Sequence, residues 1–391
     1  MNRSTTKYDY QAILLCIGIL LIALNLRLPF TGIAPVLSWI KSEFDLSTTA
    51  IGFLTSLPLI AFAVFSPISA SIANKFGIER TLFSALIIIA LGILIRSGQY
   101  SWMLYAGTLL IGIGISFGNV LLPSLIKRSF SKSAASLTGA YSITMGLGGA
   151  IASTIVIPLT QLWGWHIALS IFVIAPLIAG IFWIPQLKNH ESLKVSTHEP
   201  HSSSGIWKSP LAWQVTLFMG FNAMPFYIAV GWLPTILMSK GLSATEAGSL
   251  HGVLQLATAI PGLILAASLR RMKDQRLAAV LVSLFSAISF IGLAYAPKFA
   301  LIWSMLLGFG CGASMMLGLT FVVLRTKSTK DAAVLSGMAQ CIGYLLAAVG
   351  PLLLGKLFDV FGDWSIPLLV TSFIAVIGAY TGMLAGRNKY I

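Results

Sequence analysis

Residues 11–31 read QAILLCIGILLIALNLRLPFT, an apolar run with a single charged residue, Arg27. A helix needs about 20 apolar residues to cross the hydrocarbon core of a bilayer, and this run continues to residue 40. No small-residue cleavage site follows it, so we expect it to be retained as a helix and not removed as a signal peptide. The stretch therefore predicts a first membrane-spanning helix with one arginine inside it.

The rest of the chain has the same apolar character. Its 391 residues are 57% hydrophobic and only 9% charged, whereas soluble proteins carry roughly 25% charged residues. Twelve stretches pass the length test, so the sequence predicts an all-α integral membrane protein with twelve transmembrane helices. The predicted helices lie near residues 11–40, 47–73, 81–97, 101–126, 134–161, 165–187, 210–239, 244–269, 277–296, 299–324, 332–357 and 364–386.

The basic residues are unevenly distributed between the two sides of the membrane. If the N-terminus is cytoplasmic, 19 Lys and Arg residues fall on the cytoplasmic side and five on the other: Lys41, Arg96, Lys240, Lys298 and Lys356. The positive-inside rule therefore places both termini in the cytoplasm of a multi-pass protein of the cell inner membrane. Because the net charge of +14 follows from topology, the expected partners are the lipid bilayer and a small molecule, not nucleic acid, and we expect a monomer.

One polar segment, residues 188–208, follows the sixth predicted helix and lacks apolar periodicity. Its three histidines, His190, His198 and His201, raise the question of a metal site. No supporting ligand pattern accompanies them, so a solvated cytoplasmic linker is the favoured interpretation. We expect no metal and no cofactor.

The two sides of this linker are copies of each other. Prolines, turn glycines and loop cations recur at an offset of 196 residues, which places Pro29-Phe30 on Pro225-Phe226, Gly52 on Gly248, Lys75 on Arg271 and Arg80 on Arg276. Apolar stretches align by chance, but turn residues and loop cations rarely do so at one offset. The chain is therefore predicted to form two pseudo-symmetric six-helix bundles, residues 1–187 and 209–391.

Two six-helix halves joined by a cytoplasmic linker resemble the major facilitator superfamily, whose substrate sites lie between the halves near the membrane midplane. The loop from residue 74 to 80, NKFGIER, resembles that superfamily's signature between helices 2 and 3, without its first glycine and its acidic residue. We expect loop cations to steady a cytoplasmic gate through helix carbonyls and acids such as Glu79 and Asp274. The gating candidates are Lys75, Arg80, Arg271 and Arg276. The alternative, that they only set the topology, stays open.

Arg27 lies about 15 residues into the first helix, or roughly 22 Å deep in a hydrocarbon layer about 30 Å thick. A charge there costs about 2.5 to 3.5 kcal/mol, so the side chain should face a cavity or a partner. No Asp or Glu falls inside a predicted span away from its ends, which suggests an anionic substrate as the counter-ion. The alternative is that Arg27 hydrogen-bonds helix carbonyls and braces the two halves. The equivalent residue of the second half is Ala223, so the charge is not duplicated, which favours the substrate role.

Other polar residues in the apolar helices are candidates for the substrate site. Each has an alternative role, a hydrogen bond between helices worth about 1 kcal/mol. The candidates are Asn25, Asn119, Asn222, Tyr227, His251, Gln255, Gln340 and Tyr344. His251 is the one group predicted within the membrane core that titrates near neutral pH, and it could either carry a coupled proton or bond a neighbouring helix.

Several motifs resemble one branch of the superfamily, the cyanate permease and 2-nitroimidazole transporter group (CynX/NimT type). They are Asn25-Leu-Arg27 with Pro29, the segment LPSLIKR at residues 122–128, Gly231-Trp-Leu-Pro234, and Gly337-Met-Ala-Gln340 with Gly343. The resemblance implies a secondary transporter that moves a small anionic solute, such as cyanate or nitrite, by alternating access around a site containing Arg27. The alternative is a proton-coupled exporter of small drugs such as nitroimidazoles.

Other functional classes fit the sequence less well. A proton-driven exporter usually needs a carboxylate inside the membrane, and none is predicted. A membrane enzyme would need a nucleophile, a metal cluster or paired acids in a span, and the sequence shows none of these. We therefore expect a transporter and not an enzyme.

The topology can be tested by labelling single introduced cysteines with a membrane-impermeant reagent, after the three native cysteines are replaced by serine. Because 19 basic residues oppose five, a cysteine at Ser243 should react from outside the cell. A cysteine at Ser203 should react only when the cytoplasmic side is exposed. The reverse pattern would show that the orientation is wrong.

Overall fold

The computed structural model of the chain describes residues 3–131, 133–188, 204–262, 264, 272 and 274–391, and these form helices joined by short turns. The helices of the first part are α1 (Arg3–Asn25), α2 (Leu28–Thr31), α3 (Leu37–Glu43), α4 (Thr48–Phe76), α5 (Ile78–Arg96), α6 (Ser101–Ser129), α7 (Ala134–Ser170) and α8 (Ile174–Trp183). Those of the second part are α9 (Ser204–Lys208), α10 (Pro210–Ser239), α11 (Ala244–Ala257), α12 (Arg276–Tyr295), α13 (Ala300–Leu324), α14 (Thr329–Phe361) and α15 (Ser365–Ala385).

The helices confirm the predicted fold class. Within the described residues, ten stretches are long and apolar enough to cross a bilayer. One of them, Ser136–Lys188, contains two predicted helices, which separate at Gly164, where φ is +78°. Glycine adopts this left-handed conformation without steric cost. The remaining predicted span, residues 244–269, begins with α11, so the chain is an all-α membrane protein with the expected twelve-helix arrangement.

The predicted linker lies largely outside the described residues. Its last residues form the short helix α9. Residues 189–203, which include His190, His198 and His201, are not among those described. The boundaries of the linker and of the two bundles therefore stay predictions.

An arginine near the end of one helix holds the start of another helix in both halves. Arg128, in the last turn of α6, pairs with Glu79 in the first turn of α5. Arg325, directly after α13, donates to the Gln275 side chain just before α12 and to the Ala385 carbonyl at 3.0 Å. An offset of 196 or 197 residues relates the two pairs, so the internal repeat extends to a structural contact.

The loop cations assigned to a gate lie at the same end of the bundle as these arginines. Lys75 and Arg80 are exposed, and Arg276 pairs with Asp274, with 2.9 Å between Nε and Oδ2. Arg271 lies outside the described residues. Glu79 pairs with an arginine that the predicted gate does not include. The gating role of these cations stays a prediction.

The halves meet closely where the start of α4 crosses the end of α14. The Asp359 carboxylate accepts hydrogen bonds from the backbone N–H groups of Thr48 (3.0 Å) and Thr49 (2.7 Å), and from the Thr49 hydroxyl (2.6 Å). The first N–H groups of a helix lack partners within the helix and carry the positive end of its dipole. Asp359 therefore caps α4 across the interface, and we call this contact the Asp359 latch.

Close packing continues from the latch toward the centre of the bundle. A Cβ atom at Gly52 would lie 2.5 Å from the Pro351 carbonyl oxygen, so glycine is needed for α4 and α14 to approach this closely. One turn further on, the Ser56 hydroxyl donates to the Ala348 carbonyl at 2.6 Å. These contacts close the bundle at the end that carries the latch.

The opposite end, which carries Arg128, is more open. On α7, a Cβ at Gly149 would lie 3.0 Å from the Gln255 side chain of α11, whereas Gly139 has no neighbouring atom within 4 Å of its Cβ position. On α14, Gly337 likewise has no such neighbour. The described residues thus form a bundle that is closed at the Asp359 end and open at the Arg128 end.

Replacing Asp359 by Ala should loosen the closed end, because it removes the cap on α4. A helix cap contributes about 1 kcal/mol, so the population that is open at this end should rise about fivefold. The measurement is the labelling rate of a cysteine introduced at Thr55, behind the latch, with an impermeant reagent.

The matched control for this experiment is Asp363→Ala. Asp363 lies at the same end, but its carboxylate accepts a hydrogen bond from Ser365 of its own segment at 2.9 Å. An unchanged labelling rate of Thr55→Cys in the Asp359→Ala background would show that the latch does not hold this end closed.

Candidate functional site

The first membrane span is a broken helix, and Arg27 occupies the break. α1 ends at Asn25 and α2 begins at Leu28, with Pro29 in its first turn. Proline has no N–H group for the carbonyl four positions earlier, and its ring disfavours a continuous helix. The carbonyl that loses this donor is that of Asn25, whereas the Arg27 carbonyl accepts hydrogen bonds from the Thr31 N–H and hydroxyl groups, both at 2.9 Å. Broken helices are tolerated inside membranes where they line a cavity, and such breaks commonly mark ligand sites.

The Arg27 guanidinium group lies among aromatic side chains. Its Cζ atom is 4.7 Å from the centroid of the Phe226 ring on α10. Its charge acts on the phenol groups of Tyr141, Tyr227 and Tyr344, which belong to three different helices. Its Nη1 atom is buried and has no hydrogen-bond partner among the described residues. The group is therefore held over an aromatic ring by a cation–π contact, with a donor free for a ligand.

Four neighbouring rings form a closed circuit beside this arginine, which we call the aromatic box: Phe30, Phe62, Tyr344 and Tyr227. In that order, the distances between successive ring centroids are 6.4, 5.4, 6.3 and 5.9 Å. Two rings come from α2 and α4, and two from α14 and α10, so both halves contribute. Rings at these distances contact one another in tilted or edge-to-face pairs, so only the faces and edges that do not touch another ring remain for a ligand.

Three further predicted site residues lie in the helices around the arginine. The Asn119 amide oxygen is 3.5 Å from the Tyr141 hydroxyl, which places it near the charged group. Asn25, beside the helix break, donates to a carbonyl of its own helix at 2.8 Å and has a buried Oδ1 with no partner among the described residues. Gln340 on α14 donates to the Ser336 hydroxyl at 2.9 Å. Their role in binding stays a prediction.

Asn222 is engaged by other helices of the second half. Its Nδ2 donates to the Phe218 carbonyl at 2.9 Å, and its Oδ1 accepts from the Ser283 hydroxyl of α12 at 2.8 Å. Gly378 of α15 packs directly against the amide. Both ends of this side chain are therefore used in helix packing, which favours the alternative of a bond between helices over substrate binding.

His251 and Gln255 connect α11 to α7. His251 is fully buried, with Nδ1 3.0 Å from the Ser153 hydroxyl and Nε2 3.3 Å from the Gln255 amide nitrogen. Because Ser153 donates its own proton to the Gly149 carbonyl at 2.7 Å, it accepts from Nδ1–H, and Nε2 accepts from the amide. The hydrogen bonds thus assign a neutral imidazole with both nitrogens occupied. This favours a structural role over proton transfer.

The geometry is that of a helical membrane protein with a charged centre between two halves. The sequence profile of the Major Facilitator Superfamily matches residues 15–351. The chain belongs to the Major Facilitator Superfamily. The fold of this superfamily member agrees with a crystal structure of the nucleoside transporter NupG, with a TM-score of 0.80 over 95% of this chain and 100% of that one, at 14% identity.

Sequence relatives identify the branch of the superfamily to which the chain belongs. The chain is 50% identical to the 2-nitroimidazole transporter of Escherichia coli (strain K12) over 100% of both chains. It is 25% identical to the cyanate transport protein CynX of the same organism, over 92% of this chain and 94% of that one. This superfamily member is therefore a membrane transporter of the cyanate permease and nitroimidazole transporter group, as its motifs predicted.

Five side chains near the centre were not predicted as site residues: Phe30, Phe62, Arg96, Tyr141 and Phe226. The aromatic residues lie in apolar helices, where they do not differ from residues that face lipid. The repeat contained one usable signal, since it superposes Phe30 on Phe226 beside the matched prolines. Arg96 was counted among the basic residues of the outer side and not among the site residues, and the structure shows that only 1% of its surface is exposed.

Substituting His251 tests the two roles left open for it. We expect the His251→Gln transporter to keep the wild-type dependence of uptake on a pH gradient, because the assigned imidazole is neutral and fully bonded. His251→Ala should lower the melting temperature, since it removes the bridge between α11 and α7. Proteoliposome uptake with and without a pH gradient, together with thermal unfolding, measures both. Loss of gradient-driven uptake in the Gln variant alone would assign the proton to His251.

Proposed function

We propose that this transporter moves a small monoanion across the cell inner membrane by alternating access, with Arg27 and the aromatic box as its binding site. The observation that carries the proposal is the state of Arg27. Its guanidinium group lies at a helix break, over Phe226, and retains a buried N–H group with no partner among the described residues. A charge at such a depth needs a counter-ion, and a bound anion supplies one.

No described carboxylate is placed to neutralise this arginine. Every described Asp and Glu lies within the first or last two turns of a helix, or between helices. The groups around the arginine are rings and phenols, which attract a cation far less than a carboxylate does. The site thus has a net positive charge of its own. A monoanion balances it.

One substrate chemistry is consistent with both named relatives. Cyanate is a linear monoanion, and the nitro group of 2-nitroimidazole acidifies the ring N–H so that a planar monoanion forms near neutral pH. A guanidinium group binds a planar anion with two neighbouring acceptor atoms through two parallel N–H bonds, and a linear anion through one terminal atom. The faces of the aromatic box then stack on a planar ring. The proton-coupled exporter is less favoured, since it calls for a membrane carboxylate.

The positive-inside rule assigns the Arg128 end to the cytoplasm and the Asp359 end to the outside, with both termini cytoplasmic. In that orientation the described conformation opens the site toward the cytoplasm. Transport then requires the halves to rock, so that the Asp359 latch opens and the Arg128 end closes. The loop cations at the cytoplasmic end are proposed to take part in that closure.

Uptake of cyanate, nitrite and 2-nitroimidazole by proteoliposomes tests the proposed site. Arg27→Lys keeps a positive charge but loses the two-bond geometry, so KM should rise at least about tenfold. Arg27→Ala should abolish transport while the protein stays folded, because no buried acid is left unpaired.

The matched control for the Arg27 variants is Arg387→Lys. This partly buried arginine donates to the Gln214 side chain and to the Leu384 carbonyl, both at 2.8 Å, away from the aromatic box. Its transport should equal that of the wild type. Wild-type rate and KM in Arg27→Ala would rule out the site, and a wild type that moves none of the three probes would rule out the substrate class.

A further inference from the structure

A second arginine is buried close to the proposed site. Arg96 is the last residue of α5, and its side chain lies inside the bundle with 1% of its surface exposed. A charge at such a position is costly unless it is paired or faces a cavity. The groups around the Arg96 side chain therefore indicate its role.

The Arg96 guanidinium group has one protein partner and one free edge. Nη1 donates to the Pro29 carbonyl at 2.6 Å, just beyond the helix break. Nε and Nη2 are buried and have no hydrogen-bond partner among the described residues. These two nitrogens share one edge of the planar group, the edge that binds a carboxylate or similar anion with two parallel bonds. The bond to Pro29 fixes the group and leaves that edge available.

Arg96 lines a small cavity between the two halves, which in the described conformation has room for about one water molecule and so must widen to admit an anion. The walls come from α2, α4, α6 and α10 as well as α5, and they include Thr55, Thr108, Tyr227 and Gly231. The Thr108 hydroxyl is buried and, among the described residues, has no hydrogen-bond partner. No Asp or Glu is among the residues that form the walls. Two unpaired polar groups thus meet one cavity without a counter-ion.

The cavity lies between the Arg27 site and the Asp359 latch. Its wall on α4 consists of residues 54–58, which follow the latch residue Thr48 by about 9 to 15 Å along the helix and precede Phe62 of the aromatic box. Phe30 and Tyr227 belong both to the box and to the walls of the cavity. An anion that moves between the box and the outer surface passes this cavity.

The internal repeat distinguishes Arg96 from Arg128 and Arg325, the two arginines that hold helix ends. Arg128 and Arg325 occupy equivalent positions in the two halves and have equivalent contacts. The residue that the offset of 196 pairs with Arg96 is Gly292, so this charge is not duplicated. In this respect Arg96 resembles Arg27. A brace required by the shared fold would be expected in both halves.

We propose that Arg96 and Thr108 form a second binding site for the transported monoanion, on the outer side of the aromatic box. The free guanidinium edge binds the anion, and the Thr108 hydroxyl donates one more hydrogen bond. The inference rests on the proposed function, because it assumes the same ligand. Arg96 receives an anion when the Asp359 end is open, and Arg27 holds it when the cytoplasmic end is open.

The test measures transport from each side of the membrane in Arg96→Lys, which keeps a charge and a donor for Pro29 but loses the two-nitrogen edge. Intact cells present the outer side and inverted membrane vesicles the cytoplasmic side, with cyanate, nitrite and 2-nitroimidazole as probes. The KM at the outer side should rise at least about tenfold, because a charge-assisted bond is lost, while the KM at the cytoplasmic side stays within about twofold.

Thr108→Val is the second variant, in case Arg96→Lys does not fold. It removes one hydroxyl with little change of shape and should raise the outer KM about threefold. Thr235→Val is the matched control, because the Thr235 hydroxyl is also buried without a partner among the described residues but lies outside the walls of the cavity. It should leave both KM values unchanged.

An unchanged outer KM in both Arg96→Lys and Thr108→Val overturns the second site. An equal rise on both sides with a lower melting temperature also overturns it, since that pattern identifies a structural brace. Failure of the proposed function looks different, because the wild type then transports none of the three probes. If the wild type transports them and Arg27→Lys weakens transport from both sides, while Arg96→Lys and Thr108→Val leave the outer KM unchanged, only the second site is wrong.

Discussion

Hydrocarbon offers a polypeptide no hydrogen-bond partners, and the rest of this structure depends on that constraint. Backbone groups must be satisfied inside each helix, so a break survives only where neighbouring groups replace the missing bonds. The break at Arg27 meets this condition, because Arg96 donates to the Pro29 carbonyl, and the Thr31 hydroxyl adds a second hydrogen bond at the Arg27 carbonyl. The helix break and the two arginines are therefore one structural unit, and each part stabilises the other inside a membrane.

The same constraint divides the arginines into two kinds. Arg128 and Arg325 lie at helix ends, where an acid, an amide and backbone carbonyls accept their hydrogen bonds. Arg27 and Arg96 retain buried N–H groups without partners in the described part of the chain. Unpaired charge in a low dielectric destabilises the fold, and under the proposed mechanism a bound anion offsets part of that cost.

Hydropathy predicted most of the fold, because crossing a bilayer is a local requirement on length and composition; α4, expected near residues 47–73, runs from Thr48 to Phe76. Arg27 was predictable because a charge stands out in an apolar helix. Of the aromatic box, Tyr227 and Tyr344 were among the predicted candidates, but Phe30 and Phe62 were not, since Phe62 looks like any lipid-facing ring until α4 and α14 are packed together. Arg96 was not predicted as a site residue, for a related reason. In the sequence, a cation at a helix end looks the same whether its side chain faces water or the interior of the bundle. Which way the side chain faces depends on how the helix packs.

The Asp359 latch bonds mainly to the backbone of α4. Residues 48 and 49 present N–H groups there whatever their side chains are, proline excepted. The main partners of Asp359 are thus backbone N–H groups at the start of α4, and they do not depend on a particular amino acid. We therefore expect related sequences to vary more freely at positions 48 and 49 than at position 359, so that a search for co-varying charge pairs would not find the contact.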